Sequence, residues 1–162
     1  MATYLCFMTA TPKKTRREVR EKAMQVLYAY EISREPIEML LETIAGEELN
    51  DDVERYRFAQ ALVYSVLNHR AEADLLIREK SEHWNFDRIA TLDRILLRMG
   101  IVEFLYFPEI PVKVTINECV DIAKRFSTDQ SGRFVNGMLD SIHTLLRGQD
   151  RVRKEGRGLV DR

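Results

Sequence analysis

The sequence predicts an all-α fold, a compact helical bundle of about seven helices arranged as two subdomains. Apolar residues recur at spacings of three and four along almost the whole chain, and sustained period-two alternation is missing. Only 7 Gly and 4 Pro interrupt 162 residues. With 45% hydrophobic residues, a chain of this length buries roughly 70% of its unfolded surface and needs no covalent staple to fold.

The elements follow in order. Val19, Ala23, Val26, Leu27 and Tyr30 form one stripe, which predicts a helix from Pro12 to Ser33 with Thr11 as N-cap and Pro12 as first helical residue. Met1 to Thr11 then reads as a flexible N-terminal extension. Its first ten residues are too short an apolar run to span a bilayer and lack the basic flank of a signal peptide; Met8 is an alternative start. Pro36 with Ile37, Leu40, Leu41 and Ile44 predicts a short second helix that Gly46 ends. Asp51 or Asp52 caps the next, carrying Phe58, Leu62, Val63 and Val66, and another carries Ala73, Leu76 and Ile77. The segment Glu79 to Arg88 is the expected seam, dividing the domain 12–147 into halves at 12–80 and 84–147. Beyond it, Leu92, Ile95, Leu96, Met99, Val102 and Leu105 mark a long helix that Pro108 and Pro111 interrupt. Ile116, Cys119, Val120, Ala123 and Phe126 make the next helix, Ser127 to Gly132 a polar loop, and Val135, Met138, Leu139, Ile142, Leu145 and Leu146 the last helical face. Residues 148–162 are charged and hold little to bury, so a disordered basic tail is expected.

Chemistry is hard to place on this chain. Cys6 and Cys119 support neither a disulfide framework nor a paired-ligand zinc site, so the expectation is a reduced, cytosolic protein. His69, His83 and His143 have no partner at metal-ligand spacing, and each reads as a surface or packing residue. There is no phosphate loop, HExxH or dinucleotide fingerprint, and the acidic stretch Glu47 to Glu54 lacks the spacing of a calcium loop. No catalysis, cofactor or metal is expected.

The net charge of −1 conceals strong poles. Six cations against two acids give +4 between Lys13 and Lys22. Nine acids against Arg34 give −8 from Glu31 to Glu54, and Arg147 to Arg162 sums to +3. Lys13, Arg16, Arg17 and Arg20 fall at i, i+3, i+4 and i+7, so they project from one face, about 90° around from the apolar stripe. Cations in the first turns oppose the helix dipole, a conflict that an anionic partner such as a phosphate backbone relieves, as does neutralisation by the acidic segment that follows. A second candidate is Ala123 to Phe134, where cations, amides and hydroxyls interleave with Phe126 and Phe134. Such a segment suits single-stranded RNA, held by phosphate contacts and base stacking, or two core phenylalanines closing the last helices. Glu118, three residues after Thr115, reads as easily as the acid of a capping box as a functional residue.

These segments resemble a known family. Arg20-Glu21-Lys22-Ala23-Met24-Gln25-Val26-Leu27-Tyr28 is similar to the first-helix motif of the NusB transcription antitermination factors, and Leu97 to Phe104 to their central helix. Ile110 to Glu118, Asp121 to Phe126 and Arg133 to Asp140 resemble the family's most distinctive block. The likeness runs from Lys13 to Leu146 and departs from the family at the N-terminal extension, the tail, Cys119 and Gln130. It implies a non-catalytic helical factor that binds single-stranded boxA RNA with the ribosomal protein NusE and joins an RNA polymerase antitermination complex at ribosomal RNA operons. By the same resemblance the RNA-binding residues are Arg16, Arg17 and Arg20, extended by Lys13 and Lys14, with Phe126, Gln130, Arg133 and Phe134 from the loop. The domain is also similar to the N-terminal module of ribosomal RNA cytosine methyltransferases, whose cofactor-binding α/β domain lies beyond this length. A helical protein-interaction module without RNA affinity is the third alternative.

Overall fold

A computed structural model describes residues 15–49, 52–81 and 85–161. Thr11, Pro12, Lys13, Lys14, His83 and Cys6 lie outside them. Among the described residues the chain is helical without strands, in seven α-helical runs if the segments over 37–49 are taken as one, with two 3₁₀ segments besides.

Helix α1 spans Arg16–Ser33 and begins four residues later than the sequence reading placed it. Its cap is Thr15, whose Oγ1 accepts from the Glu18 N–H at 3.3 Å, while the Glu18 carboxylate accepts from the Thr15 N–H. This reciprocal pair satisfies two of the orphan donors of the first turn. Val19, Ala23, Val26 and Leu27 are buried as the stripe required. The helix ends where Arg34 turns left-handed at φ 60°, donating its N–H to the Tyr30 carbonyl.

The second run comprises α2 (Ile37–Leu40), a π-turn (Leu41–Gly46) and α3 (Glu47–Leu49), so Gly46 does not end it. Leu40, Leu41, Ala45 and Leu49 are buried against the bundle, and this packing carries the helix past the glycine. Asp52 caps α4 (Val53–Asn68), its Oδ1 accepting from the Arg55 N–H at 3.2 Å. Helix α5 (Arg70–Lys80) and a 3₁₀ turn (Phe86–Arg88) lead into α6 (Thr91–Tyr106).

Helix α6 is the spine of the molecule. Every residue from Ile95 to Phe104 is buried, so it is enclosed on all sides, and the apolar core is continuous across both halves of the chain. Among its buried residues is Arg98, which donates to Asp74 at 2.7 and 2.9 Å and to Glu31 at 2.9 Å, fastening α6 to α5 and α1. Helices α7 (Val112–Phe126) and α8 (Asp129–Gly148) close the bundle.

Two expectations fail here for identifiable reasons. Thr115 and Glu118 do not form a capping box, because α7 starts at Val112 and both residues lie within it. The C-terminal segment is ordered: a 3₁₀ helix (Gly156–Asp161) follows an extended stretch that docks on the end of α6. There the Lys154 ammonium donates to the carbonyls of Glu103 and Phe107 at 2.9 and 3.0 Å, and the Glu155 N–H donates to the Pro108 carbonyl at 3.0 Å. The Glu103 carbonyl also accepts the Phe107 N–H at 3.3 Å, and the tail cation adds a charged donor at this negative end of the helix dipole.

Candidate nucleic-acid interface

The basic face of α1 is built differently from its sequence spacing. Arg20 does not project beside Arg16 and Arg17; it is fully buried. Its Nε and Nη2 donate to the two Glu103 carboxylate oxygens at 2.6 and 3.0 Å, and the guanidinium lies 5.2 Å from the Phe58 ring centre. The Thr115 hydroxyl donates to the same carboxylate at 2.6 Å. Burial alone disfavours the Arg20 cation, but the Glu103 charge and hydrogen bonds outweigh it and raise the pKa above its ordinary value. The fork therefore locks α1, α6 and α7 together.

Arg16 and Arg17, in the first turn, are exposed. Arg16 makes no ion pair among the described residues. Arg17 reaches α7, donating to Glu118 at 3.1 and 3.2 Å and lying 2.6 Å from Asp121. The hydrogen bond to Glu118, then the nearby acids, raises its pKa. Glu118 is thus a holder of Arg17, and the dipole conflict at this position is relieved within the molecule. Lys22 pairs with Glu48 of the acidic stretch.

One turn further along α1, Glu21 is buried and its carboxylate accepts from Arg125 Nη1 at 2.6 and 2.7 Å. The Arg125 guanidinium in turn lies 5.3 Å from the centre of the Phe126 ring. Through Glu118, Asp121 and Arg125, α7 joins the first-helix face to the α7–α8 loop, so the two segments nominated separately in sequence form one surface. Phe126 is 38% exposed and, with Met24, Gln25, Tyr28 and Leu92, lines a groove of about 580 Å³. Arg125 lies in the second candidate segment, and exposed Tyr28 is a residue that the sequence reading does not single out for binding.

The expected polar loop Ser127 to Gly132 is reduced to Ser127 and Thr128, because Thr128 starts α8 early and places Gln130, Arg133 and Phe134 in its first turns. Thr128 caps α8, its Oγ1 accepting from the Ser131 N–H at 3.0 Å, and the Ser131 hydroxyl donates to buried Asp93 of α6 at 3.1 Å while contacting the Ser127 hydroxyl at 2.8 Å. Burial raises the Asp93 pKa, with the Ser131 hydrogen bond opposing the shift, and its Oδ1 has no hydrogen-bond partner. Gln130 and Phe134 line a second groove, of about 480 Å³, with Asp93 at its wall. Gln130 and Arg133 are exposed, whereas Phe134 is half-buried against the core. Lys13 and Lys14 fall outside the described residues.

Among the described residues no cluster of His, Cys, Asp or Glu is arranged to hold a metal ion, and no helix is long and apolar enough to cross a membrane. His69 stacks on Tyr106 with ring centres 3.8 Å apart, and the His143 ring lies 5.5 Å from that of Phe104.

The family model described as NusB family matches residues 17–144. The chain is 40% identical over 91% of its length to the transcription antitermination protein NusB of Chloroherpeton thalassium, covering 70% of that protein. It is 42% identical over 90% of its length to NusB of Salinibacter ruber, covering 91% of it. Among solved structures, T. maritima NusB superposes with a TM-score of 0.75 at 34% identity, covering 82% of this chain and 92% of that one. A crystal structure of antitermination factors NusB and NusE in complex with double-stranded RNA superposes at 0.72 and 27% identity, covering 80% and 96%. Matched over nearly all of the bundle by sequence and by fold, the chain belongs to the NusB family of transcription antitermination factors, which are not enzymes.

Proposed function

We propose that this protein binds the boxA element of nascent bacterial RNA together with the ribosomal protein NusE, and that the pair nucleates an antitermination complex on RNA polymerase at ribosomal RNA operons. The observation that carries this reading is the single surface formed by the α1 face and the α7–α8 loop, linked by the Arg17–Glu118, Arg17–Asp121 and Glu21–Arg125 pairs. On it, Arg16, Arg17 and Arg133 supply cations for phosphates, and Lys13 and Lys14, which precede the described residues in sequence, are further candidate cations. Phe126 and Phe134 offer ring surface for stacking, and Gln130 offers an amide to base edges. Arg20 acts at one remove, holding α1 against α6 so that Arg16 and Arg17 stay in register with the loop. Work on a nascent transcript places the protein in the cytoplasm.

The solved complex of a family member with NusE and double-stranded RNA supports NusE and RNA as the two classes of partner. Titration of boxA RNA into the protein with and without NusE tests the reading. Tight, sequence-dependent binding that NusE strengthens is the expected result; binding of NusE with no RNA affinity in either case would favour the protein-interaction module.

A further inference from the structure

The C-terminal segment builds a second cationic groove, remote in sequence from the residues assigned above. Gly158 sits against the α6–α7 turn so closely that a Cβ there would lie 2.0 Å from the Pro108 carbonyl oxygen, so only glycine permits the approach. Lys154 and Glu155 fix the same segment to the end of α6, and Arg151 ties its beginning to Glu72 of α5. Between this strap, the C-terminal part of α8 and the start of α7 lies a groove of about 740 Å³.

The lining combines charge with apolar surface. Arg147 and Arg153 line it with Asp150, and Val152 and Leu159 supply apolar wall, while the Lys154 ammonium is held by the carbonyls of Glu103 and Phe107. Arg147 and Arg153 are exposed and make no ion pair among the described residues. Uncompensated cations beside apolar surface suit a chain that alternates phosphates with flat bases. Buried Glu103 of α6 lies beneath both regions, holding Arg20 of α1 by its carboxylate and Lys154 of the strap by its carbonyl.

We propose that this groove takes the phosphate backbone of the transcript where it continues past boxA, as a secondary, sequence-independent RNA track formed by the docked tail. The inference rests on the RNA-binding reading above. It is tested with the full chain and NusE, using a single-stranded boxA oligonucleotide of about 12 nucleotides and one about twice as long, extended at both ends. Wild type should bind the longer RNA more tightly and with a logarithmic salt slope steeper by about 1.4, the value for two phosphates at about 0.7 each. In R147Q/R153Q that gain should vanish while affinity for the short RNA and the melting temperature hold. Gly158→Ala keeps every charge but lifts the strap, and it too should lose the gain. A length-dependent gain that survives in R147Q/R153Q overturns the proposal, and one that survives only in Gly158→Ala shows loose charge attraction instead of a built groove. Absence of a length effect in wild type, with short RNA still bound, refutes the second track and leaves the primary reading intact; no binding of either RNA refutes both.

Discussion

Replacing Glu103 by Gln should destabilise the protein severely, and the geometry says why. Three donors converge on the two Glu103 oxygens: Arg20 Nε at 2.6 Å, Arg20 Nη2 at 3.0 Å and the Thr115 hydroxyl at 2.6 Å. Both side chains of the ion pair are at most 1% exposed, so no water is available to take over. Glutamine has the same shape but one acceptor oxygen and no charge, leaving the Arg20 cation buried without a counterion. Breaking a buried pair in this way costs about 3–5 kcal/mol. For a chain of this size each kcal/mol moves the melting temperature by about 2–4 °C, so a fall of about 6–20 °C is expected. Urea unfolding of the Arg20→Met and Glu103→Leu single variants and their combination completes the cycle. The double variant, which removes both charges, should lie well above the sum of its singles, because buried pairs exchanged for apolar residues are often close to neutral. An E103Q protein within about 1 kcal/mol of wild type, or strictly additive singles, would refute the claim that this fork secures α1.

Three further outcomes follow from the same surface. Asp93 has a raised pKa from burial, so its contribution favours the folded state below the unfolded value of about 4 and is lost as pH rises through the folded value; Asp93→Asn should flatten that decline and leave the neutral-pH melting temperature level or higher, as thermal scans across pH will show. Glu118→Gln should leave stability within about 0.5–1 kcal/mol, since the Arg17 pair is partly exposed, while leaving Arg17 with Asp121 as its one acid partner among the described residues and tightening RNA binding in a low-salt titration; weaker RNA binding in a folded variant would make the Arg17–Glu118 pair itself part of the interface. Phe134→Leu should lower RNA affinity by about 1–3 kcal/mol with a smaller loss of stability if a base stacks on the ring, whereas a matching loss of stability at unchanged RNA affinity returns Phe134 to the core.

Elements whose signals are local were legible in the sequence, and those that depend on distant partners were not. The apolar stripes of α1, α6 and α8 and the Asp52 cap needed only neighbours within a turn or two. Two Thr-x-x-Glu segments show the boundary of such reasoning. Thr15 and Glu18 form a capping box, whereas Thr115 and Glu118 have the same spacing and lie inside a helix that Pro111 has already started. Helical spacing put Arg20 on the basic face, but Glu103, 83 residues away, draws it into the core. The union of the α1 face with the α7–α8 loop rests on Glu21 and Arg125, 104 residues apart. The tail looked unburiable by composition, and it docks through Lys154 and Gly158 onto carbonyls exposed where α6 ends. The family motifs identified the bundle because they encode these long-range contacts as a pattern.

The central claim is that the α1 face and the α7–α8 loop hold one RNA strand. Its most direct test is the affinity of wild type and R16A/R17A for boxA RNA, with NusE present, across a series of salt concentrations. Each phosphate contact on a single strand contributes about −0.7 to the logarithmic slope, so removing two should weaken binding and flatten the slope by about 1.4. The fold should hold, because alanine is the better helix former and neither arginine is buried. An unchanged slope in a folded R16A/R17A protein would contradict the account and leave the α1 face as solvated surface.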